Sequence, residues 1–430
     1  MNYYKRTADA LLQDLLDAFG AVLIEGPKWC GKTTTASQLA NSILRMQDPS
    51  MREEYLATAK TKPSILLKGD TPRLIDEWQD APMLWDAVRT TVDDRQIPGQ
   101  FILTGSNAVD KSQIHHSGAG RIARLRMLPM SLWESQESTG EVSLKELFNN
   151  PDYDIDGKMS KMTVEDLIFA ASRGGWPASL LARTPKAQLL VAKNYVQTIC
   201  SDDVSGIDGK KRDAKLTSMI LRAYARNVST LVKKKYLLDD VTSSGEVSCH
   251  VDTFDDYVSA LEKLFVIQNI SAWCPAIRSK TAIRSSVKRC FCDPSIPIAL
   301  LGLSPESLSM QLRTFGFIFE QMCIRDLKAY TIDLNSHVSY YHDRYDLEAD
   351  IVLHLEDGRY ALIECKLGSS EIDEGAKHLL ELKRLIQEHN KTEKQVPIRE
   401  PDLLIVMTGG TMAYSRPDGV KVIPLACLKD

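Results

Sequence analysis

The first repeating signal along the chain is helical: in residues 8–19, Leu11, Leu12, Leu15, Leu16 and Phe19 share one face of a 3.6-residue period. From Ala21 the period breaks into an unbroken apolar run. This predicts a buried strand, closed by a turn framed by Gly26 and Gly31 and followed by small helix-forming residues to Ser37. The polar stretch 45–63 is assigned no element. Residues 73–77 read as a short buried strand ending in two carboxylates, 82–91 as a helix, and 100–107 as a third buried strand ending in small polar residues. Residues 118–126 alternate basic and apolar, the pattern of a strand with a basic exposed face.

Residues 134–162 are polar, acidic and rich in turn formers, which marks a domain boundary or a surface insertion. Helical periodicity resumes over 163–172, 186–200 and 213–231. Thr253 is a candidate N-cap for a helix running to Leu264, and 265–270 reads as a strand. An apolar helix follows Asp293-Pro294, and a longer one spans 313–329. Residues 348–366 predict two strands joined by a tight Glu356-Asp357-Gly358 turn. A hairpin centred on residue 357 sets position 350 opposite 364, with 364 and 366 on one face. An amphipathic helix at 376–389 and strands at 403–407 and 420–425 complete the pattern.

Composition narrows the class. At 430 residues the chain outgrows one core, and 43% apolar with 26% charged residues is ordinary for a soluble globular protein. The net charge of −4, from 53 Lys and Arg against 57 Asp and Glu, means that nucleic-acid affinity must come from local basic surface. Two patches qualify: nine basic residues with the single acid Asp213 over 210–235, and Arg278, Lys280, Arg284, Lys288 and Arg289 over 276–292. A solvated charged face is the plain alternative. The nine cysteines are scattered, with no pair at zinc-ligand spacing, and read as buried reduced thiols, with Cys290 and Cys292 facing one side of a strand. Asp9 and Asp14 interrupt the N-terminal apolar region, and no 18-residue uncharged apolar run occurs, so the expectation is a cytoplasmic protein without a membrane partner.

The candidate chemistry sits at both ends. Gly26, Pro27, Lys28, Trp29, Cys30, Gly31, Lys32, Thr33 and Thr34 form the complete phosphate-binding loop pattern between a strand and a helix. Its glycines let successive N–H groups point at phosphate oxygens, Lys32 reaches the terminal phosphates, and the Thr33 hydroxyl ligates Mg²⁺. Asp76 suits the Mg²⁺ shell, and Glu77 suits orientation or deprotonation of the attacking water. Ser106 or Asn107 could bond the γ-phosphate or that water, or could be an ordinary polar strand exit. Arg121 is the first candidate for neutralising charge on a bound or neighbouring nucleotide. Towards the C-terminus, Asp350, Glu364 and Lys366 converge across the hairpin. Acids that hold a divalent metal and a lysine that positions water or steadies phosphorane charge are what a Mg²⁺-dependent phosphodiesterase needs. Glu320 could add a third carboxylate. A charged edge strand that blunts pairing with other chains is the alternative.

GPKWCGKTT at 26–34, LIDEWQDAP at 74–82, FILTGSN at 101–107, GRIARLRMLPMSLWES at 120–135, KRCFCDPSI at 288–296, FGFIFEQMCIRDLKAY at 315–330 and YDLEADIVLHLEDGRYALIECKLG at 345–368 together resemble a large prokaryotic family. Its members pair an N-terminal AAA-type ATPase domain with a C-terminal domain of restriction-endonuclease-like fold. The resemblance implies an α/β protein: a P-loop AAA-type ATPase core over 1–135, a helical lid and winged-helix-like region over 136–275, and a restriction-endonuclease-like domain over 276–430. It implies ATP as ligand, with Lys32, Thr33 and Asp76 in the usual roles and Glu77 as the hydrolytic residue. Asp350, Glu364 and Lys366 match the acid…acid-x-lysine motif of nucleases of this fold, and Glu320 matches their helix acid.

Two functions follow as expectations. The first is an ATPase coupled to a Mg²⁺-dependent nuclease-like domain acting on DNA. The second is an ATP-dependent regulatory switch whose C-terminal domain binds nucleic acid or a protein partner without cleavage. AAA-type domains can assemble into rings, which leaves a homo-oligomer open.

Overall fold

The computed structural model describes residues 3–107, 114, 116–243, 245, 247–273, 286–392 and 397–430. They fall into two compact units, Met1–Pro129 with Lys263–Phe265, and Met130–Glu262 with Val266–Asp430. Apart from Lys263–Phe265, the chain segments 136–275 and 276–430 lie in one unit. Cys274, Arg278, Lys280 and Arg284 lie outside the described residues.

The first unit is built on five parallel strands: β1 (Ala21–Glu25), β2 (Ser42–Arg45), β3 (Arg73–Asp76), β4 (Phe101–Gly105) and β5 (Ile122–Arg126), in the order β2-β3-β4-β1-β5. Every residue of β1 and β4 is buried, because helices cover both faces of the central strands, and the polar residues among them, Glu25 and Thr104, lie towards the strand ends. The helices are α1 (Ala8–Ala18), α2 (Lys32–Leu39), α3 (Arg52–Thr61) and α4 (Met83–Arg95). In α1 the buried side chains are Ala8, Leu12 and Leu16, the centre of the predicted stripe. The unassigned stretch 45–63 holds the end of β2 and all of α3. Strand β2 lies at the sheet edge and buries only Leu44, and α3 buries only Ala59, so neither carries a periodic apolar signature.

Strand order decides where the chemistry sits. β4 lies between β1 and β3, with Glu25 level with Gly105 and Asp76 level with Thr104. The turn after β1, the acids after β3 and the small polar residues after β4 therefore open on one edge of the sheet, where parallel α/β sheets bind ligands.

The second unit carries a six-stranded mixed sheet. Beside a short β6 (Val142–Ser143), its strands are β7 (His337–His342), β8 (Glu348–His354), β9 (Tyr360–Lys366), β10 (Leu403–Thr408), β11 (Tyr414–Ser415) and β12 (Lys421–Pro424), ordered β11-β12-β10-β9-β8-β7. β8 and β9 form the predicted hairpin in the predicted register, with Ile351 opposite Ile363 and Val352 opposite Leu362. The helix Ile372–Thr392 covers one face through Ala376, Leu379, Leu382 and Ile386.

Three expectations are corrected in this unit. Segment 134–162 is no surface insertion: the Ser138 hydroxyl donates to Leu428 O at 2.5 Å, the Ser160 N–H to Thr411 O at 2.7 Å, and β6 pairs with β13 (Leu428–Lys429). Thr253 lies inside the helix Val251–Lys263 instead of capping it. Residues 265–270 form no strand. Phe265 takes a left-handed φ of 60°, and only isolated bridges, Ile267 with Phe291 and Ile270 with Lys288, follow it.

A buried polar cluster fixes the long helix Leu312–Tyr330. The Arg325 guanidinium pairs with Asp326 at 2.7 Å and Asp293 at 3.1 Å, all three side chains being almost wholly enclosed. The two acids then accept the Leu132 and Gly175 N–H groups at 3.1 and 2.9 Å. Gly175 is obligatory there, since a Cβ would stand 2.1 Å from Met130 O. This anchoring sets where Glu320, on the same helix, enters the interior.

Candidate functional site

The phosphate loop leaves β1 through Gly26, whose φ is 154° and whose added Cβ would lie 2.2 Å from Met127 O. Only glycine fits that approach. Trp29 also takes a left-handed φ, 64°, and Gly31, at φ 102°, stands at the N-cap of α2, so the loop wraps the positive end of the helix. Cys30 is buried, and its carbonyl accepts from the Arg6 guanidinium at 2.8 Å, while a second Arg6 nitrogen holds Leu128 O at 2.7 Å. The buried Lys32 ammonium donates to the carbonyls of Pro27 at 2.9 Å and Gly26 at 3.1 Å. Lys28 is half-buried at the loop, and Thr34 is exposed on the first turn of α2.

The acids of β3 meet this loop. The Thr33 hydroxyl donates to Asp76 Oδ1 at 2.6 Å, and the Thr104 hydroxyl reaches the same oxygen at 2.7 Å. A hydroxyl and a carboxylate paired beside the loop fit the Mg²⁺ of a bound nucleotide. Glu77 takes a left-handed φ of 55°, which turns its side chain out of the strand direction, and its N–H donates to Thr104 Oγ1 at 3.2 Å. Its carboxylate accepts from Gln79 and, at 3.3 Å, from Ser106. Asn107 adjoins them with a buried Oδ1 that has no donor. Sequence reasoning missed Thr104 and Gln79. Both lie within three residues of a motif acid or of a strand end level with one, which is the signal that could have found them.

Arg121 is placed elsewhere. It precedes Ile122, which pairs with Ala21 at the start of β1, whereas the phosphate loop follows Glu25 at the other end. Its guanidinium is tied to Asp93 at 2.7 Å. A role on the nucleotide of its own chain is thereby corrected. The arginine level with the loop entrance is Arg126, 3.4 Å from the Glu25 carboxylate, with Arg124 at 3.7 Å from the other oxygen.

In the second unit the hairpin brings Asp350 and Glu364 together as expected, and Glu348 joins them. One oxygen from each of the three lies within 4.8 Å of the others. Asp350 Oδ2 accepts the Cys365 N–H at 2.9 Å across the hairpin. Glu364 is fully buried, and neither oxygen has a hydrogen-bond donor in good geometry. Its nearest cation is Lys366 at 3.1 Å, and His378 Nδ1 stands 3.7 Å away. Burial, reinforced by the Asp350 charge, pushes the Glu364 carboxyl up to about 9. Burial works to lower the Lys366 ammonium, but Glu364 and Asp350 outweigh it and hold it above the ordinary lysine value. A buried carboxylate with empty lone pairs, flanked by two further acids, fits a hard divalent cation.

Glu320 reaches the same neighbourhood, but its carboxylate is taken by Lys288, which also donates to Asp350 O at 2.9 Å. Burial pushes Glu320 up to about 8 against the pull of that ammonium. Neither Lys288 nor Arg289 serves as exposed basic surface, since both are buried and Arg289 bonds Tyr224 and Val232. Four of the nine basic residues of the 210–235 run are paired: Lys210 and Arg212 with Asp256, Arg212 also with Asp208, Arg226 with Asp240, and Lys234 with Asp255. Cys290 and Cys292 are buried free thiols, held by bridges and not by a strand.

Residues 18–136 match the model of an AAA domain, and with the parallel sheet and phosphate loop this makes the N-terminal region a P-loop ATPase domain of the AAA type. Residues 164–307 and 315–428 match models of two domains of unknown function, DUF8612 and DUF4143. The chain is similar to the uncharacterized proteins Rv2008c of Mycobacterium tuberculosis and Mb2031c of Mycobacterium bovis, each 24% identical over 366 residues, covering 83% of this chain and 72% of theirs. Among solved structures, the Walker-type ATPase PABY2304 of Pyrococcus abyssi is 12% identical and covers 70% of this chain and 96% of its own, with a TM-score of 0.41. No helix among the described residues is long and apolar enough to cross a membrane.

Proposed function

We propose that this ATPase uses its nucleotide state to control a Mg²⁺-dependent, nuclease-like site in the C-terminal region that acts on DNA. The observation that carries the reading is Glu364: a fully buried carboxylate that meets the Lys366 ammonium on Oε2 at 3.1 Å, has no donor on Oε1, and stands within reach of Glu348 and Asp350. Three acids beside the single Lys366 ammonium cost several kcal/mol to keep charged together unless a further cation joins them.

In the N-terminal domain, the loop amides and Lys32 hold the phosphates of ATP, and Thr33 with Asp76 holds the accompanying Mg²⁺. Glu77, steadied by Gln79 and Ser106, orients the water that attacks the γ-phosphate. In the C-terminal region, a divalent cation on Asp350 and Glu364 supplies a Lewis acid for a phosphodiester oxygen and a more acidic bound water. Lys366, one residue beyond Cys365 and on the Glu364 face, steadies the charge that develops on the phosphate. The restriction-endonuclease-like fold, DNA as substrate and any homo-oligomer belong to this proposal.

The test is DNA cleavage by the purified full-length protein with Mg²⁺ or Mn²⁺. Cleavage is expected in the wild type and absent in Asp350→Ala. The regulatory-switch reading gains its support from the internal pairing of Lys288 with Glu320, which withdraws one acid from the site. Binding of DNA without cutting, across metals and nucleotides, would favour it.

A further inference from the structure

Resting on that reading of the carboxylate site, we propose that it takes a single divalent cation, ligated by Glu348, Asp350 and Glu364, and that the Lys288 ammonium permanently fills the neighbouring cation position against Glu320. The argument begins with what surrounds Lys288 Nζ. The side chain is 6% exposed, and its ammonium contacts Glu320 Oε1, Asp350 O at 2.9 Å and Asp350 Oδ1 at 3.6 Å. Three oxygens around one buried positive charge, one of them shared with the acid cluster, is the environment a second metal ion would have. In two-metal phosphodiesterase sites, a shared carboxylate bridges ions about 4 Å apart. Here Asp350 is the shared acid, and a protein cation stands on one side of it.

Charge balance points the same way. With a cation bound, its ligands Glu348, Asp350 and Glu364 are ionised and Glu320 pairs with Lys288, so four negative charges face the two positive charges of Lys288 and Lys366 and leave two, the complement of one divalent ion. His378 Nδ1 stands 3.7 Å from Glu364, and Glu374 near Lys366 is solvent-exposed. A second divalent ion would have to displace a buried lysine or leave the site positive. The ligand set is independently marked by Glu364, which is fully enclosed, meets Lys366 on Oε2 at 3.1 Å, and keeps Oε1 without a donor. The three oxygens lie within 4.8 Å of one another, no more than about twice the bond length of a hard divalent ion.

The assignment separates Glu348 from Glu320, and Mn²⁺ binding to the nucleotide-free full-length protein, followed by calorimetry and by the loss of free-ion electron paramagnetic resonance signal, reads the difference. Glu348→Gln, at a partly exposed position, is expected to weaken the Glu364-dependent Mn²⁺ site at least tenfold. The double variant Lys288→Met with Glu320→Leu removes the buried pair together, so the core keeps no unpaired charge, and should retain one Mn²⁺ with affinity within about threefold of wild type. Loss of the site in the double variant with retention in Glu348→Gln would overturn the assignment while leaving a metal site in place. Two Glu364-dependent ions in the wild type would overturn the single-ion claim. Absence of any Mn²⁺ binding sensitive to Glu364→Gln would remove the carboxylate site itself, and the proposed function with it.

Discussion

Replacing Glu364 by glutamine should make the metal-free protein more stable and unable to gain from a cation. Glu364 is fully buried, and burial with the neighbouring Asp350 charge outweighs the pull of Lys366 and raises its carboxyl from about 4.5 to about 9. The folded state therefore binds a proton that the unfolded state releases between those two values. Stability is full below pH 4.5 and falls as pH rises towards 9, because the unfolded chain gains from ionisation and the folded one does not. At pH 7, some 2.5 units above the unfolded value and at ~1.4 kcal/mol per unit, the cost is ~3 kcal/mol, an order-of-magnitude figure that coupling to Asp350 reduces. Glutamine keeps the shape without the titration. Urea unfolding in EDTA should thus place Glu364→Gln about 2–3 kcal/mol above wild type at pH 7 and level with it near pH 4.5. Saturating Mn²⁺ should raise the wild-type midpoint by linkage, ~1.4 kcal/mol for each tenfold excess over the dissociation constant, and leave the variant unmoved. A variant less stable than wild type in EDTA, or equal Mn²⁺ stabilisation of both, would refute the reasoning.

Lys32→Ala should lower ATP turnover by about 100-fold or more with unchanged circular dichroism, and turnover within about twofold of wild type would count against the phosphate loop as the catalytic cradle. Gly26→Ala should abolish retention of a fluorescent ATP analogue, because its Cβ meets Met127 O at 2.2 Å and the loop must shift. Arg121→Ala should leave turnover per chain unchanged at dilutions where the protein is monomeric, since its guanidinium bonds Asp93 at the opposite end of β1 from the loop. Hydrogen bonds from Arg212 hold the Asp208 carboxyl down to about 2, so Asp208→Asn should cost ~1–2 kcal/mol at pH 7 after allowance for its partial exposure. That difference should shrink as acid titration passes from about pH 4 to pH 2, where the wild type loses the same interaction.

What was legible in the sequence follows from which interactions are local. The phosphate loop and the β8–β9 hairpin are each specified within some twenty residues, the hairpin by the turn at 356–358, and both register and acid convergence came out as read. Glu348 was within reach of the same logic, since a spacing of two from Asp350 keeps it on one face of β8. Lys288 was not. Its partners lie 32 and 62 positions away, and a lysine in a basic run reads as solvated until the fold buries it. The pairing of Lys210, Arg212, Arg226 and Lys234 in the 210–235 run was hidden for the same reason, because Asp208, Asp240, Asp255 and Asp256 come from outside it. Arg121 was misplaced because alternation reveals a strand's exposed face but not which end of the sheet a residue occupies.

The central claim is that one chain joins an ATP-responsive domain to a metal-dependent phosphodiesterase site. Its most direct test measures the initial rate of Mn²⁺-dependent cleavage of linear and supercoiled DNA by wild type and Lys32→Ala, each with and without ATP. A wild-type rate that changes with ATP, beside a Lys32→Ala rate that does not, is the predicted result. Cleavage equally indifferent to ATP in both proteins, or no metal-dependent cleavage in either, would contradict it.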